Sequence, residues 1–190
     1  MTVTPNATSY SPDRLVILDR DGVINRDSDA YVKTLDEFVV YPQAVDAIAR
    51  LTKAGYAVAV ATNQSGIARG YFTSATLEQM HARLTEMVKN AGGRLDAIAY
   101  CPHGPDDGCD CRKPLPGLLY QVRDTLGLAT LAGSWMVGDS LRDLQAGDAA
   151  GARPALVRTG KGKNTEAKGQ HAEDTPAFDD LAAFVDWLLG

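Results

Sequence analysis

Short apolar runs alternate with helical patterns along the whole chain. Continuous runs are typical of buried parallel strands, whereas apolar residues three and four positions apart predict helices. This alternation favours an α/β fold, a Rossmann-like parallel sheet with helices on both faces. The predicted strands are Leu15–Leu18, Tyr56–Ala61, Leu95–Tyr100, Trp135–Val137 and Pro154–Val157. The predicted helices are Ala44–Ala54, one capped by Thr73 or Ser74 that runs to Ala91, Gly117–Leu126, Leu141–Ala150 and Phe178–Leu189.

The 190 residues suit a single domain over 1–190, without an internal repeat. Residues 161–176 are polar and rich in Lys, Gly and Glu, which predicts a surface loop or mobile segment. The polar stretch Met1–Arg14 and the lack of long apolar runs predict a cytoplasmic protein without a membrane span. The net charge of -5 argues against a nucleic-acid partner. We expect a monomer, since no long apolar interface helix is evident.

Four polar sites each follow a predicted strand. They are Asp19, Thr62, Cys101 and Asp139. Because functional residues gather at the carboxyl ends of strands in such a sheet, we expect these sites to meet at one edge.

Two acidic clusters give that edge its chemistry. Asp19-Arg20-Asp21-Gly22 alone is consistent with a simple turn or helix cap, since Asp and Gly favour both. The second cluster places Asp139 at a strand end and Asp143 one helical turn later. Carboxylates converging on one edge repel each other unless a cation lies among them, which predicts a Mg²⁺ site. Lys113 and Thr62 are candidates to hold an anionic group there.

The three cysteines lie within eleven residues, next to a histidine. Cys101, His103, Cys109 and Cys111 provide the four ligands of a structural zinc site in a loop over 101–111. The alternative is a set of reduced cysteines with an ordinary loop histidine. A zinc ion would fix Arg112 and Lys113, which directly follow the last ligand.

The two remaining histidines have no such neighbours. We interpret His81 as a helix-surface residue and His171 as a loop residue.

The motifs Asp19–Gly22, Thr62–Asn63, Lys113 and Gly138–Asp139 with Asp143 resemble those of the haloacid-dehalogenase superfamily, in the same order. The resemblance implies a magnesium-dependent phosphatase without a large cap domain. Asp19 would be the nucleophile and Asp21 the general acid and base. The side chains of Asp19 and Asp139 and the main-chain carbonyl of Asp21 would bind Mg²⁺. Thr62 and Lys113 would hold the phosphoryl group, and Asp143 would support the metal site.

The zinc loop resembles those of two groups in this superfamily, the heptose 1,7-bisphosphate 7-phosphatases and the histidinol-phosphatase domain. The string from Thr62 to Thr73 is similar to the heptose group, whereas the short zinc loop is closer to the histidinol type. The heptose resemblance implies a sugar bisphosphate substrate, loss of its 7-phosphate and a place in ADP-heptose and lipopolysaccharide core biosynthesis. The alternatives are a histidinol-phosphate phosphatase and a zinc-stabilised binding module without turnover.

The heptose resemblance also implies which residues bind the substrate. They are Asp27, Tyr31, Asn63, Gln64, Ser65 and Arg112. Some relatives carry a lysine at the position of Ser140, so Ser140 receives no role.

Overall fold

The computed structural model describes residues 9–190. Residues 1–8, which belong to the predicted single domain and to the polar stretch Met1–Arg14, lie outside the described part. The elements alternate between strands and helices. They are β1 (Leu15–Leu18), α1 (Pro42–Lys53), β2 (Ala57–Asn63), α2 (Ser74–Asn90), β3 (Ala97–Cys101), α3 (Gly117–Thr125), β4 (Trp135–Gly138), α4 (Leu141–Ala150), β5 (Arg153–Val157), α5 (Gly162–Lys168), β6 (Ala177–Phe178) and α6 (Leu181–Leu189).

The strands form one six-stranded parallel sheet in the order β3-β2-β1-β4-β5-β6. Strand β1 pairs with β2 on one side and with β4 on the other. The chain therefore winds outward from β1 in one direction and then returns to build the other half from β4. Ligands bind in α/β sheets where the strand order reverses in this way, which is between β1 and β4 here.

Alternate residues of β1 face opposite sides of the sheet, as the pleat of a strand requires. Val16 and Leu18 pack in a core cluster with side chains of α1, α2 and α6. Leu15 and Ile17 pack in a second cluster with side chains of α3 and α4. Both faces of the sheet are therefore covered by helices, and the predicted fold class is confirmed.

The structure corrects several predicted boundaries. Strand β2 continues through Asn63, and β3 includes Cys101. Thr62 is therefore the second-last residue of β2 and Cys101 the last residue of β3, rather than residues after a strand. Phe178 belongs to the short strand β6 rather than to the closing helix. That helix begins at Leu181 because the Asp180 side chain accepts a hydrogen bond from the Ala183 amide.

The segment 161–176 differs most from its prediction. Residues Gly162–Lys168 form helix α5 rather than a loop, and mobility of the segment stays a prediction.

The described residues contain no inserted cap domain, in agreement with the predicted architecture. Within 9–190, no helix is both long enough and apolar enough to cross a membrane.

Candidate active site

Lys113 lies at the centre of the acidic cluster and is 2% exposed. Its ammonium donates hydrogen bonds to Asp19 Oδ1 at 2.8 Å, Asp143 Oδ1 at 2.7 Å and the Ala61 carbonyl at 2.7 Å. Burial alone would lower the pKa of Lys113, but the two carboxylates outweigh it and raise that pKa. Lys113 is therefore charged, and it orients the Asp19 carboxylate through Oδ1.

Three carboxyl groups lie close together at this point. Asp19, Asp139 and Asp143 each offer an oxygen within 4.8 Å of the others. Burial, and next the charge of Asp143, raises the pKa of Asp19 to about 7 despite Lys113. Burial and the charges of Asp19 and Asp143 raise the pKa of Asp139 to about 9. These groups resist being charged together unless a cation lies among them, so the donor set fits Mg²⁺.

Asp143 supports this cluster from within the protein. Its Oδ1 accepts from Lys113, and its Oδ2 accepts from the Ser140 amide at 3.1 Å and the Ser140 hydroxyl at 2.9 Å. Both oxygens are therefore engaged, which leaves Asp19 and Asp139 as the better cation ligands. Ser140, which had no predicted role, anchors Asp143 at the start of α4.

Asp21 is held by four hydrogen bonds. Its Oδ1 accepts from Arg20 Nη2 at 2.7 Å, Arg20 Nε at 3.0 Å and Asn25 Nδ2 at 2.8 Å. Its Oδ2 accepts from Gln64 Nε2 at 3.0 Å. Burial alone would raise the pKa of Asp21, but the Arg20 charge and these hydrogen bonds outweigh it and lower that pKa. Asp21 is therefore a carboxylate in the ligand-free site.

The end of β2 supplies the polar side chains beside the carboxylates. Thr62 Oγ1 accepts a hydrogen bond from Gln64 Nε2 at 3.0 Å, so its own hydroxyl hydrogen is left for another acceptor. Asn63 binds the backbone of Lys113 in both directions, through Nδ2 to the carbonyl and Oδ1 from the amide, each at 3.0 Å. This engagement favours positioning of Lys113 over the predicted substrate contact of Asn63.

The segment after β5 completes the acidic edge. The Lys161 amide donates to Asp139 Oδ2 at 2.8 Å, and the Thr165 hydroxyl donates to the Asp139 carbonyl at 2.7 Å. A side chain on Gly22, at φ +89°, would collide with Asp139 Oδ2, so the tight turn after Asp21 requires glycine. The contacts from 161 and 165 were missed because this polar segment resembles a loop; its position after a strand was the available signal.

One cavity of about 360 Å³ joins these groups. All the residues predicted to act in catalysis, substrate binding or magnesium binding line it, namely Asp19, Asp21, Asp27, Tyr31, Thr62, Asn63, Gln64, Ser65, Arg112, Lys113 and Asp139. Three further cationic side chains that were not predicted also line it, namely Arg69, Arg142 and Lys161. A neighbouring cavity of about 680 Å³ shares Asp27, Ser140, Arg142 and Lys161 with it.

The zinc loop brings its four predicted ligands together. Cys101 Sγ lies 2.8 Å from Cys111 Sγ and 3.6 Å from Cys109 Sγ, and His103 Nδ1 lies 3.3 Å from Cys111 Sγ. All four donor atoms are within 4.8 Å of one another. Burial, followed by the neighbouring thiols, raises the pKa of Cys111. Such crowded thiols ionise together only around a cation, and this donor set fits Zn²⁺.

The interpretation of His81 as a surface residue is wrong. Its exposed fraction is 7%, and its Nε2 lies 3.3 Å from Arg20 Nη1. The partner is 61 residues away in sequence, so the helical pattern around His81 gave no sign of it. His171 lies in a loop, as predicted.

Known proteins with similar sequences are hydrolases and phosphatases. Residues 110–184 match the family model described as HAD-hydrolase-like. The chain is 60% identical to the D-glycero-β-D-manno-heptose-1,7-bisphosphate 7-phosphatase of Pseudomonas putida, over 93% of this chain and 99% of that protein. It is 59% identical to the protein of the same name from Pseudomonas aeruginosa, over 92% and 97%.

A solved structure extends the comparison to three dimensions. The D,D-heptose 1,7-bisphosphate phosphatase of B. bronchiseptica, complexed with magnesium and phosphate, is 53% identical, with a TM-score of 0.89 over 93% of this chain and 98% of that chain. The match therefore extends over nearly the whole of both chains. With such identity over nearly the full length of its relatives, the chain belongs to the D-glycero-β-D-manno-heptose-1,7-bisphosphate 7-phosphatase family of HAD-like hydrolases.

Proposed function

We propose that this protein removes the 7-phosphate of D-glycero-β-D-manno-heptose 1,7-bisphosphate through an aspartyl-phosphate on Asp19. The observation that carries the proposal is the Lys113 ammonium bound to both Asp19 and Asp143, with Asp139 beside them. A buried, oriented carboxylate with a charged lysine is suited to attack an anionic phosphate. The substrate and its β configuration follow the names of the relatives.

The chain's residues divide the reaction between them. Asp19 forms a bond to phosphorus while the bond between phosphorus and the sugar oxygen breaks. Asp21 donates the proton that this oxygen needs, and it later accepts a proton from the water that hydrolyses the aspartyl-phosphate. An approaching phosphate adds negative charge near Asp21, which raises the pKa of its carboxyl group toward the range that a general acid requires.

The phosphoryl group needs charge compensation as well as a nucleophile. Mg²⁺ bound by Asp19, Asp139 and the Asp21 carbonyl would offset the negative charge of the phosphate. The B. bronchiseptica relative carries magnesium and phosphate together, which supports this assignment. The free hydroxyl hydrogen of Thr62 can donate to a phosphoryl oxygen.

A second phosphate on the substrate requires a second cationic region in the cavity. Arg112 is half-buried, and its Nη1 donates to the His103 carbonyl at 3.3 Å. The zinc loop therefore holds Arg112 at the cavity wall. We assign the 1-phosphate to Arg112 and contacts with the sugar to Asp27, Tyr31, Gln64 and Ser65, which line the same cavity.

Zinc, location and assembly complete the proposal. Zn²⁺ at Cys101, His103, Cys109 and Cys111 has four protein ligands, so its role is structural. The three cysteines form no disulfide with one another, which supports a reducing, cytoplasmic location. We propose a monomer that acts on a small molecule and takes no nucleic-acid partner.

The nucleophile is tested with the Asp19→Asn variant. Phosphate release from the heptose bisphosphate in the presence of Mg²⁺ should fall by at least about 10³-fold, because the neutral amide is a poor nucleophile. Mass spectrometry of acid-quenched wild-type protein should find phosphate on Asp19. Turnover that is unchanged in Asp19→Asn refutes the mechanism, and a wild-type protein without turnover would support the binding module.

A further inference from the structure

Arg20, between the nucleophile and the general acid in sequence, is fully buried. A buried guanidinium costs several kcal/mol unless it is paired, so its partners show what the charge is for. Among the described residues, its ion-pair partner is Asp21, with Nη2 2.7 Å from Oδ1. Nε donates to the same oxygen at 3.0 Å. The charge is therefore directed at one oxygen of the general acid.

The other end of the guanidinium meets helix α2. Arg20 Nη1 lies 3.3 Å from His81 Nε2 and 3.8 Å from Met80 Sδ, and the guanidinium carbon lies 5.0 Å from the centre of the Phe38 ring. Arginine can only donate, so His81 Nε2 is the acceptor and the ring hydrogen is on Nδ1. Burial, and next the Arg20 charge, lowers the pKa of His81 to about 4, so the ring stays neutral.

These contacts make the two Asp21 oxygens unequal. Oδ1 receives both Arg20 nitrogens and Asn25, whereas Oδ2 receives only Gln64. An oxygen that already accepts three donors is a poor place for a proton, so proton exchange is directed to Oδ2. Gln64 also contacts Thr62, so Oδ2 is the oxygen on the side of the phosphoryl-binding residues.

We propose that Arg20 and His81 are positioning residues that fix Asp21 so that Oδ2 delivers the proton to the leaving oxygen. His81 holds Arg20, and Arg20 holds Oδ1. This inference rests on the proposed role of Asp21 as general acid. The proton moves from Oδ2 to the leaving oxygen as the bond between that oxygen and phosphorus breaks.

The test compares an alkyl with an aryl phosphate. An alkoxide leaving group needs protonation, whereas p-nitrophenolate leaves without it, so only the alkyl substrate depends on a correctly placed acid. The ratio kcat/KM reports the steps up to formation of the aspartyl-phosphate, before water is activated. We would measure it for the heptose bisphosphate and for p-nitrophenyl phosphate in wild type, His81→Leu, His81→Gln and Arg20→Lys.

In His81→Leu, kcat/KM for the heptose bisphosphate should fall by up to about 100-fold, with less than about a fivefold fall for the aryl phosphate. Arg20→Lys keeps the charge but loses the pair of hydrogen bonds from Nε and Nη2 to Asp21 Oδ1, so it should show the same contrast. His81→Gln restores an acceptor near the position of Nε2 and should recover most of the alkyl activity. His171→Leu is the matched control and should leave both substrates unchanged.

Equal losses on both substrates would show a purely structural role and overturn the proposal, as would wild-type kinetics in His81→Leu and Arg20→Lys. If His81→Leu does not fold, Arg20→Lys decides by the same contrast. A wild-type protein that hydrolyses another alkyl phosphate but not the heptose bisphosphate would refute the proposed substrate. The alkyl–aryl comparison would then be made with that other substrate, so the two failures are distinguishable.

Discussion

Lys113 has all three ammonium hydrogens bound within the protein, by Asp19, Asp143 and the Ala61 carbonyl. Its charge is thus available to neutralise the carboxylates before any phosphate arrives. Asn63 fixes the backbone of the same residue from a neighbouring strand. A single lysine is therefore placed by three parts of the chain that are far apart in sequence, and this arrangement explains how Asp19 can be both buried and reactive.

Arg112 gives a prediction about the second phosphate. Arg112→Gln should raise KM for the bisphosphate by about 10- to 100-fold, because a charge-assisted contact to the 1-phosphate is lost. KM for heptose 7-phosphate, which lacks that group, should change little. Arg123→Gln, at a half-buried arginine paired with Asp124 and outside the lining of the cavity, is the control. Equal effects of Arg112→Gln on both substrates would contradict the assignment.

His81 gives a prediction about pH and stability. Its pKa is lowered to about 4 by burial and by Arg20, with Asp21 opposing. Between about pH 6.5, the pKa of an unperturbed histidine, and pH 4, the unfolded chain binds more protons at this residue than the folded protein. The free energy of unfolding should therefore decrease as the pH is lowered from about 6.5 to 4, by roughly 2–3 kcal/mol from this group.

His81→Gln removes the titrating group and should flatten this part of the pH dependence. Urea unfolding of both proteins at pH 7 and pH 4.5 measures the difference, and contributions from other groups cancel in the comparison. Parallel pH profiles for the two proteins would show that His81 does not titrate as described.

At the scale of elements, the connection from β5 to α5 contributes more to the site than its polar composition indicates. Its backbone binds Asp139 through Lys161, and the Thr159 hydroxyl donates to the Gly22 carbonyl at 2.6 Å. This segment therefore joins both acidic motifs. Strands β1 to β5 could be predicted because each contains a continuous apolar run, and the larger helices because their apolar residues repeat with a clear period. Helix α5 could not, since it buries little apart from Gly162.

Gly160 tests this connection. A side chain there would collide with Asp139 Oδ2 and the Gly22 backbone, whereas one on Gly169 would meet nothing within 4 Å. Both residues have positive φ, +56° and +60°, so alanine should cost each variant a similar backbone strain of about 1 kcal/mol. We expect Gly160→Ala to lower kcat/KM at least about tenfold and Gly169→Ala to leave it nearly unchanged. Equal kcat/KM values for the two variants would show that the connection from β5 to α5 does not contribute to the active site.

For the whole molecule, the sheet explains why motifs scattered from Asp19 to Asp143 could be predicted to meet. Parallel strands place their carboxyl ends along one edge, so sequence position after a strand was enough to group them. Contacts between side chains of different elements could not be predicted from sequence position. The burial of His81 against Arg20 depends on packing that no local pattern encodes. The anchoring of Asp143 by Ser140 differs, because it is a capping contact between residues three apart, and the Ser140–Asp143 spacing was its available signal.

The zinc loop connects the carboxyl end of β3, at Cys101, to Arg112 and Lys113 in the site. Metal analysis of protein purified without added metal should find about one zinc per chain. Chelation of that zinc should lower both Tm and activity while Mg²⁺ is kept in excess, because Arg112 and Lys113 follow the last ligand directly. A protein that contains no zinc, yet is fully active, would show that the loop is held in another way.

For the whole molecule, the decisive property is the action of the cavity beside Asp19 on a heptose bisphosphate. The most direct measurement is kcat/KM for D-glycero-β-D-manno-heptose 1,7-bisphosphate, its α anomer and histidinol phosphate, with Mg²⁺ present. We expect the highest value for the β anomer, release of the 7-phosphate alone and loss of this activity in Asp19→Asn. A preference for histidinol phosphate, or release of the 1-phosphate, would contradict it.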